Sequence, residues 1–420
     1  MLLEYRFERM VGRLAGGGGL PLRLQLWNGR QFDFSPQPTV TISIPRPSAL
    51  RYFLKPDLNT LGEAFVEGDI QVDGPIHDVF HVAENLARRA AGAPARRLSP
   101  AQHTRQRDRR AIEYHYDVSN DFYALFLDRD MVYSCGYYRN DADTLEQAQT
   151  QKLDHILGKL ALRPGDRLLD IGCGWGALVM RAAQRYGARA TGITLSTNQA
   201  EHARERIRAA GLQDQCRVEL CDYRDVDGEF DRIVSVGMFE HVGLKNLALY
   251  FGRIRALLAG DGLVLNHGIT TADTAAGWMP LGAGEFIDRY VFPDGELPHV
   301  SQVLRDMATA GLEVVDVESL RRHYARTCRA WADRLEANRG RATEIAGGKR
   351  TRIWQIYLAG CAYGFAMGWM NLYQVLACRS DNVHGRSLPL TRDYMYRDPS
   401  GALPAAEPAE TMDAGDSAAR

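Results

Sequence analysis

Two stretches near the amino end alternate apolar and polar residues, LRLQLW (22–27) and TVTISI (39–44). This is the period-two spacing of strands with one face on a core and the other in water. Residues 20–75 read as short strands followed by a helical or mixed segment around LGEAFVEGDIQVDG (61–74), which predicts a small accessory domain over 1–87. From Gly165 the pattern changes to apolar runs separated by stretches of helical spacing: RLLDIG (167–172), ARATGITL (188–195), CRVELCD (216–222), FDRIVSVGMF (230–239) and GLVLNHGI (262–269). Buried strands alternating with crossover helices are the βαβ pattern of a parallel sheet. Two later strand candidates, LEVVDVESL (312–320) and NLYQVLACR (371–379), bracket helical material.

Residues Ile353 to Cys378 carry no charge and are long enough to cross a bilayer, which takes about 20 apolar residues. Gln355, Asn371 and Gln374 would then sit in lipid, so the stretch is expected to be a buried helix running into a buried strand. Between Arg88 and Arg110 there are eight arginines and one aspartate, broken by Gly and Pro. This predicts a positively charged linker that either serves as a plain connector or contacts anionic lipid headgroups. Nucleic acid fits it less well, because the run lacks the aromatic residues on which bases stack. The catalytic unit is expected over 111–395 and a disordered Ala-, Pro- and acid-rich tail over 396–420.

Length and composition narrow the reading without selecting a partner. A chain of 420 residues exceeds what one hydrophobic core usually organises, and a net charge of -1 marks no bulk attraction to polyanions. The seven cysteines are an odd, scattered set with no CxxC pair, which argues against a disulfide framework or a metal site. The first residues, MLLEYRFERMVGRLAGGGG, contain acids and no unbroken apolar run before a cleavage site, so they do not read as a signal peptide. A cytoplasmic protein is expected.

The chemistry begins at Asp170-Ile-Gly-Cys-Gly-Trp-Gly176, where glycines let the backbone turn sharply after a strand and approach a nucleotide-like ligand. Such a loop is shared by several cofactor classes. NAD sites prefer GxGxxG with an acid on the ribose about 20 residues on; here that place, in GITLS, holds Thr194 and no carboxylate. DxGxGxG instead is the first motif of class I methyltransferases, whose leading acid, here Asp170, lies near the methionine moiety. Asp222 and Tyr223, after the third strand of this unit, supply a carboxylate and an aromatic for an adenine.

Taken together, HYDVSNDFYALFLDRDMVYSCGYY (115–138), LLDIGCGWGALVMRAA (168–183), GITLSTNQ (192–199), DYRD (222–225), FDRIVSVGMFEHVG (230–243), DRYVFPDGELP (288–298) and HYARTCRAW (323–331) resemble the cyclopropane-fatty-acyl-phospholipid synthases and the related mycolic acid cyclopropane synthases. The resemblance implies a class I, Rossmann-like α/β fold: a seven-stranded sheet with one antiparallel strand. It implies S-adenosylmethionine held by Tyr133, Ser134, Gly172, Gly174, Thr194, Leu195, Gln199 and Asp222. It also implies a bicarbonate ion held by the Cys135 backbone, Glu240, His267, Ile269 and Tyr324. Unsaturated phospholipid acyl chains would be the substrate, with the protein a homodimer at the inner face of the cell membrane. One departure is Gly268, where a bulkier residue is common in the family; it is expected to loosen its loop.

Adding a methyl to an alkene makes a carbocation, and closing a ring then needs a base where water is excluded. Glu240 and His267, each read at the exit of a strand, sit where open α/β sheets bind ligands. Tyr137, Phe239 and Tyr290 are the aromatics expected to face the cation. Two rival readings fit less well. Amino-directed DNA methylation expects Asn or Asp followed by Pro-Pro and an aromatic after strand four, where this chain has Gly237-Met-Phe-Glu240. A non-catalytic lipid-binding protein would be expected to have lost site residues, and all of them are present.

Overall fold

The structure, a computed structural model, describes residues 2–15, 19–90, 119–274, 280–292, 295–381 and 388–397. The positive run is outside them except for Arg88 and Arg89, as is the tail beyond 397, so the lipid-contact expectation concerns residues outside the described ones.

Near the amino end, strands β1 (Leu22–Leu26), β2 (Gln31–Asp33), β3 (Val40–Ile44) and β4 (Gln71–Asp73) form a sheet in the order β2-β1-β3-β4. The alternation predicted from sequence is observed: Leu22, Leu24, Leu26, Val40, Ile42 and Ile44 are buried and the intervening positions are not. Helices Leu58–Val66 and Ile76–Ala90 border this core, and an amino-terminal helix, Leu2–Ala15, buries Phe7 in it. The expected boundary at 87/88 falls inside helix Ile76–Ala90, where Arg88 pairs with Glu84 one turn earlier at 2.6 Å.

A second sheet holds β5 (Arg167–Ile171), β6 (Arg189–Thr194), β7 (Cys216–Leu220), β8 (Phe230–Val236), β9 (Leu258–Thr271), β10 (Leu312–Ser319) and β11 (Met370–Arg379). Their order is β10-β11-β9-β8-β5-β6-β7, with β11 alone antiparallel to both neighbours. The chain winds outward from β5 through β6 to β7, then returns to lay β8 and β9 on the other side of β5. The crevice at the carboxyl ends of β5 and β8 is therefore the topological switch point, the place where such sheets bind ligands.

The strand read as GLVLNHGI is longer than its own apolar pattern. β11 pairs with β9 from Cys378↔Leu263 to Met370↔Thr271, so hydrogen bonds to a distant segment carry β9 past Ile269. His267 thus lies inside the strand opposite Gln374, which corrects the expectation that it marks the strand's exit.

The uncharged stretch is a buried helix, Gly348–Ala366, running into β11. Its Trp354, Leu358, Ala359, Cys361, Ala362 and Phe365 pack with Cys328, Trp331 and Leu335 of helix Arg321–Ala337. Two polar residues that would be costly in lipid find partners in place: Gln355 donates to Glu336 at 2.6 Å, and Gln374 Nε2 reaches His267. Among the described residues, no helix is long and apolar enough to cross a membrane.

A buried ionic network locks the far edge of the sheet. Lys159, 1% exposed at the end of helix Leu145–Lys159, pairs with Asp316 at 3.1 Å and Glu318 at 2.6 Å on β10. His155 bonds Glu318 at 2.7 Å, and Arg392 bonds Asp316 at 2.5 Å. Burial alone would raise the Glu318 carboxyl, but His155 and Lys159 outweigh it and hold it down at about 2. Because that value is depressed, the stabilisation it represents is present above pH ~4.5 and is lost as pH falls toward 2. Lys159→Met, which removes the buried cation shared by Asp316 and Glu318 and leaves them only Arg392 and His155, is predicted to lower stability by roughly 3 kcal/mol. Urea unfolding at pH 7 checks this; a loss under about 1 kcal/mol would mean the network is not a clamp.

Candidate active site

At the end of β5, Gly172 (φ 84°) and Gly176 (φ 85°) take left-handed backbone conformations that side chains resist. A Cβ on Gly172 would also lie 3.0 Å from Met238, so the loop and the segment after β8 approach closely. Beside this turn is a cavity of about 70 Å³ lined by Tyr133, Ser134, Lys152, Asp170, Gly174 and Gln199, among others. Asp170 is buried and its Oδ1 has no hydrogen-bond partner among the described residues. Burial pushes its carboxyl up to about 7, with Lys152 pulling the other way. Thr194, ending β6, donates to Gln199 Oε1 at 2.8 Å and so fixes the amide beside the cavity.

The rest of the expected cofactor set flanks this cavity without lining it. Leu195 follows β6, and Asp222 and Tyr223 follow β7, at the same edge of the sheet. Asp222 caps the short turn Tyr223–Asp225 and holds the Arg224 guanidinium with both oxygens, at 2.8 and 2.7 Å.

A second cavity, of about 110 Å³, contains Glu240, His267, Ile269 and Tyr324 in one lining. Its walls are otherwise largely apolar, with Ile287, Phe292, Leu358, Phe365 and Leu372 among them, and Tyr133, Ser134 and Gly237 line both cavities. Glu240 sits in the turn after β8; its Oε1 accepts the Ile269 N–H at 2.7 Å, while Oε2 is buried with no partner among the described residues. Burial raises this carboxyl to about 7, the Ile269 N–H offsetting part of the effect. His267 Nδ1 lies 3.2 Å from Gln374 Nε2, and its Nε2 is buried and unpartnered among the described residues. Burial pushes the imidazole well below its usual range, so it is neutral at pH 7. With the Gln374 amide donating to Nδ1, the ring proton is on Nε2.

Of the five residues expected to hold the anion, Glu240, His267, Ile269 and Tyr324 line this cavity, and Cys135 is expected to act through its backbone. The Ile269 N–H is taken by Glu240. Cys135 is outside the lining of both cavities; its thiol, raised by burial, turns to the carbonyls of Gly136 and Leu320. The expected aromatics are also elsewhere. Tyr137 stacks between His155 and His323, and Tyr290 packs on Phe286. The rings that line the cavity are Tyr133, Phe292, Tyr324, Trp331, Tyr357 and Phe365. An aromatic residue in a sequence does not announce which side of its element it faces, which is why this set was not foreseen. Lys152 was also missed, since it carries no motif and lies on an ordinary-looking helix.

Gly268 does not loosen its segment. It is held in β9 opposite Tyr373, and a Cβ there would lie 1.9 Å from Phe239 Cε1. The Phe239 ring fills the space a larger residue would take, next to Glu240.

The model for mycolic acid cyclopropane synthetases matches residues 103–375. The chain belongs to that family. Residues 14–92 match a domain of unknown function, DUF7884. The chain is 49% identical over 385 residues, 90% of its length and 97% of the relative's, to a probable fatty acid methyltransferase of Pseudomonas putida. It is 38% identical over 271 residues, 63% of its length and 94% of the relative's, to cyclopropane mycolic acid synthase 1 of Mycobacterium tuberculosis. Among solved structures, mycolic acid cyclopropane synthase CmaA1 complexed with SAH and CTAB matches with a TM-score of 0.61 and 37% identity, over 64% of this chain and 97% of that one. The seven-stranded sheet with one reversed strand is the class I methyltransferase fold of this family.

The Gly268–Phe239 contact generates a prediction. Gly268→Ala is expected to cost about 1–3 kcal/mol, the usual penalty of overpacking, and Phe239→Leu in the same chain should recover part of it. Denaturant unfolding of the two single variants and the double variant measures the coupling; strictly additive losses would show that the two positions do not share the space.

Proposed function

We propose that this protein transfers the methyl group of S-adenosylmethionine to the cis double bond of an unsaturated phospholipid acyl chain and then removes a proton from the new methyl, closing a cyclopropane ring. One observation carries the reading: a glycine-loop cavity and an apolar cavity adjoin, with Tyr133, Ser134 and Gly237 common to both. Their fit to two ligands is supported by the buried, unpartnered Asp170 Oδ1 in the first and by Glu240 Oε2 and His267 Nε2 in the second.

S-adenosylmethionine supplies, when bound, a methyl on a positively charged sulfur that a π bond can attack. Tyr133, Ser134, Asp170, Gly174 and Gln199 would hold its amino-acid end, Gly172 and Thr194 would shape the walls, and Leu195, Asp222 and Tyr223 would receive its adenosine end. Bicarbonate supplies, when bound, an oxygen base inside the apolar cavity. A carboxyl that titrates near pH 7 still carries its proton in part of the molecules, so Glu240 can donate from Oε2 while Oε1 keeps the Ile269 N–H. Neutral His267 donates from Nε2, and Tyr324 lines the same space. Glu240 thereby orients an anion rather than acting as the base. The apolar walls keep out water, which would trap the cation as an alcohol. The faces of Tyr324, Trp331 and Tyr357 offer the cation ~0.5–2 kcal/mol each.

A second reading, in which the cation resolves to a methyl branch, a methylene or a hydroxylated chain, is favoured by the relative that is 49% identical, named a probable fatty acid methyltransferase.

With radiolabelled S-adenosylmethionine, phospholipid bearing cis double bonds is expected to accept label and saturated phospholipid none. Glu240→Ala, which removes both the donor and the acceptor, is expected to bind S-adenosylhomocysteine nearly as well as wild type while turnover falls on the order of 10²-fold, the cost of losing a positioning contact, and Cys135→Ser to stay active. Equal labelling of saturated lipid would defeat the substrate assignment, and a fully active Glu240→Ala enzyme would defeat the role given to the carboxyl.

A further inference from the structure

Helix Leu145–Lys159 turns one lysine inward. Lys152 is 2% exposed, lines the glycine-loop cavity, and donates from Nζ to Ser134 Oγ at 2.8 Å. That neutral hydroxyl is its one hydrogen-bond partner among the described residues, and no carboxylate lies within ion-pair distance of it there. Across the same cavity Asp170 is equally buried, with Oδ1 unpartnered. The cavity thus holds a buried cation and a buried anion that are not paired with each other. An uncompensated charge in a dry site is costly, so the two groups together call for a ligand carrying one charge of each sign. An α-amino acid zwitterion has that form.

We infer that Lys152, together with Ser134, takes the carboxylate of the methyl donor's amino-acid end, while Asp170 takes its ammonium. The inference rests on the S-adenosylmethionine reading and adds to it a binding residue that no motif marks. Fixing both charged ends sets the direction of the sulfur toward the wall at Ser134 and Gly237. Lys152 is accordingly a positioning residue.

The charge state agrees with this. Burial pushes Lys152 down to about 8, with Asp128, Cys135 and Asp170 pulling it up, so it remains mostly charged at neutral pH. Of the titratable groups that face it, the Cys135 thiol and the Asp128 carboxyl are raised, Asp170 is near 7, and His267 is well below its usual range.

The test is calorimetric binding to the full chain, without turnover. The probes are S-adenosylhomocysteine, its carboxyl methyl ester, and 5′-methylthioadenosine, which keeps the adenosine and the thioether but lacks the amino acid. Wild type is expected to favour S-adenosylhomocysteine over both others by on the order of 100-fold, the effect of removing one partner of a buried charge pair. Lys152→Met should lose about that factor for S-adenosylhomocysteine while 5′-methylthioadenosine binding changes little. That unchanged binding also reports a folded variant. If Lys152→Met does not fold, wild type alone still decides: the advantage of deaminated S-adenosylhomocysteine, which keeps the carboxylate, over 5′-methylthioadenosine should shrink as pH rises above about 8, where Lys152 loses its proton. Neither of these two probes carries an α-amino group, so no titration of the ligand's amine enters the ratio. Lys152→Met that binds S-adenosylhomocysteine like wild type, or that weakens all three probes equally, would overturn the inference, as would a ratio of deaminated acid to 5′-methylthioadenosine affinity that is flat from pH 7 to about 10. Wild type that binds none of the three would instead defeat the donor reading itself.

Discussion

A carboxyl and an imidazole buried in an apolar cavity, each with one atom left without a partner among the described residues, are the constraint around which this site is organised. A buried polar atom with no partner costs about 1–3 kcal/mol, and an isolated buried charge costs more. Glu240 responds by rising to about 7, and His267 by remaining neutral. The surrounding structure fixes what is left. Ile269 satisfies one Glu240 oxygen, and Gln374 sits against the inner nitrogen of His267. Phe239, seated on the bare backbone of Gly268, braces the turn that carries Glu240. In the proposed function, these two open atoms are what a bound anion would satisfy.

The sheet explains why that ligand can meet a methyl donor. The order of strands reverses between β5 and β8, and the loops after those two strands supply the glycine turn and the Gly237–Glu240 segment. A crevice that topology must create is divided into a polar chamber and an apolar one, with Ser134 and Gly237 at the partition. Helices Arg321–Ala337 and Gly348–Ala366 close the apolar side, contributing Tyr324, Trp331, Tyr357 and Phe365. At the opposite edge of the sheet, Lys159 and its acids hold β10 against helix Leu145–Lys159, the helix that also carries Lys152.

Much of this was legible in the chain, because much of it is local. Apolar runs of strand length marked β5 to β8, period-two alternation marked β1 and β3, and closely spaced glycines marked the cofactor turn. Features that depend on distant partners were not legible. β9 runs past its own apolar pattern because β11 pairs with it, so His267 lies inside a strand rather than at its end. Gly268 reads as a weak point until Phe239 is seen over it. Tyr137 and Tyr290 read as cavity aromatics, yet packing turned them elsewhere, and Lys152 reads as a surface lysine until its helix is docked.

The central claim is that the methyl carbon loses a proton inside the apolar cavity instead of keeping all three hydrogens. The most direct measurement supplies S-adenosylmethionine bearing a trideuterated methyl and reads the acyl products by mass spectrometry and NMR. The account predicts that each added carbon keeps two deuteriums as the CD₂ of a cyclopropane ring, with the double bond gone. An added carbon that keeps all three deuteriums, as a methyl branch or beside a hydroxyl, would contradict it.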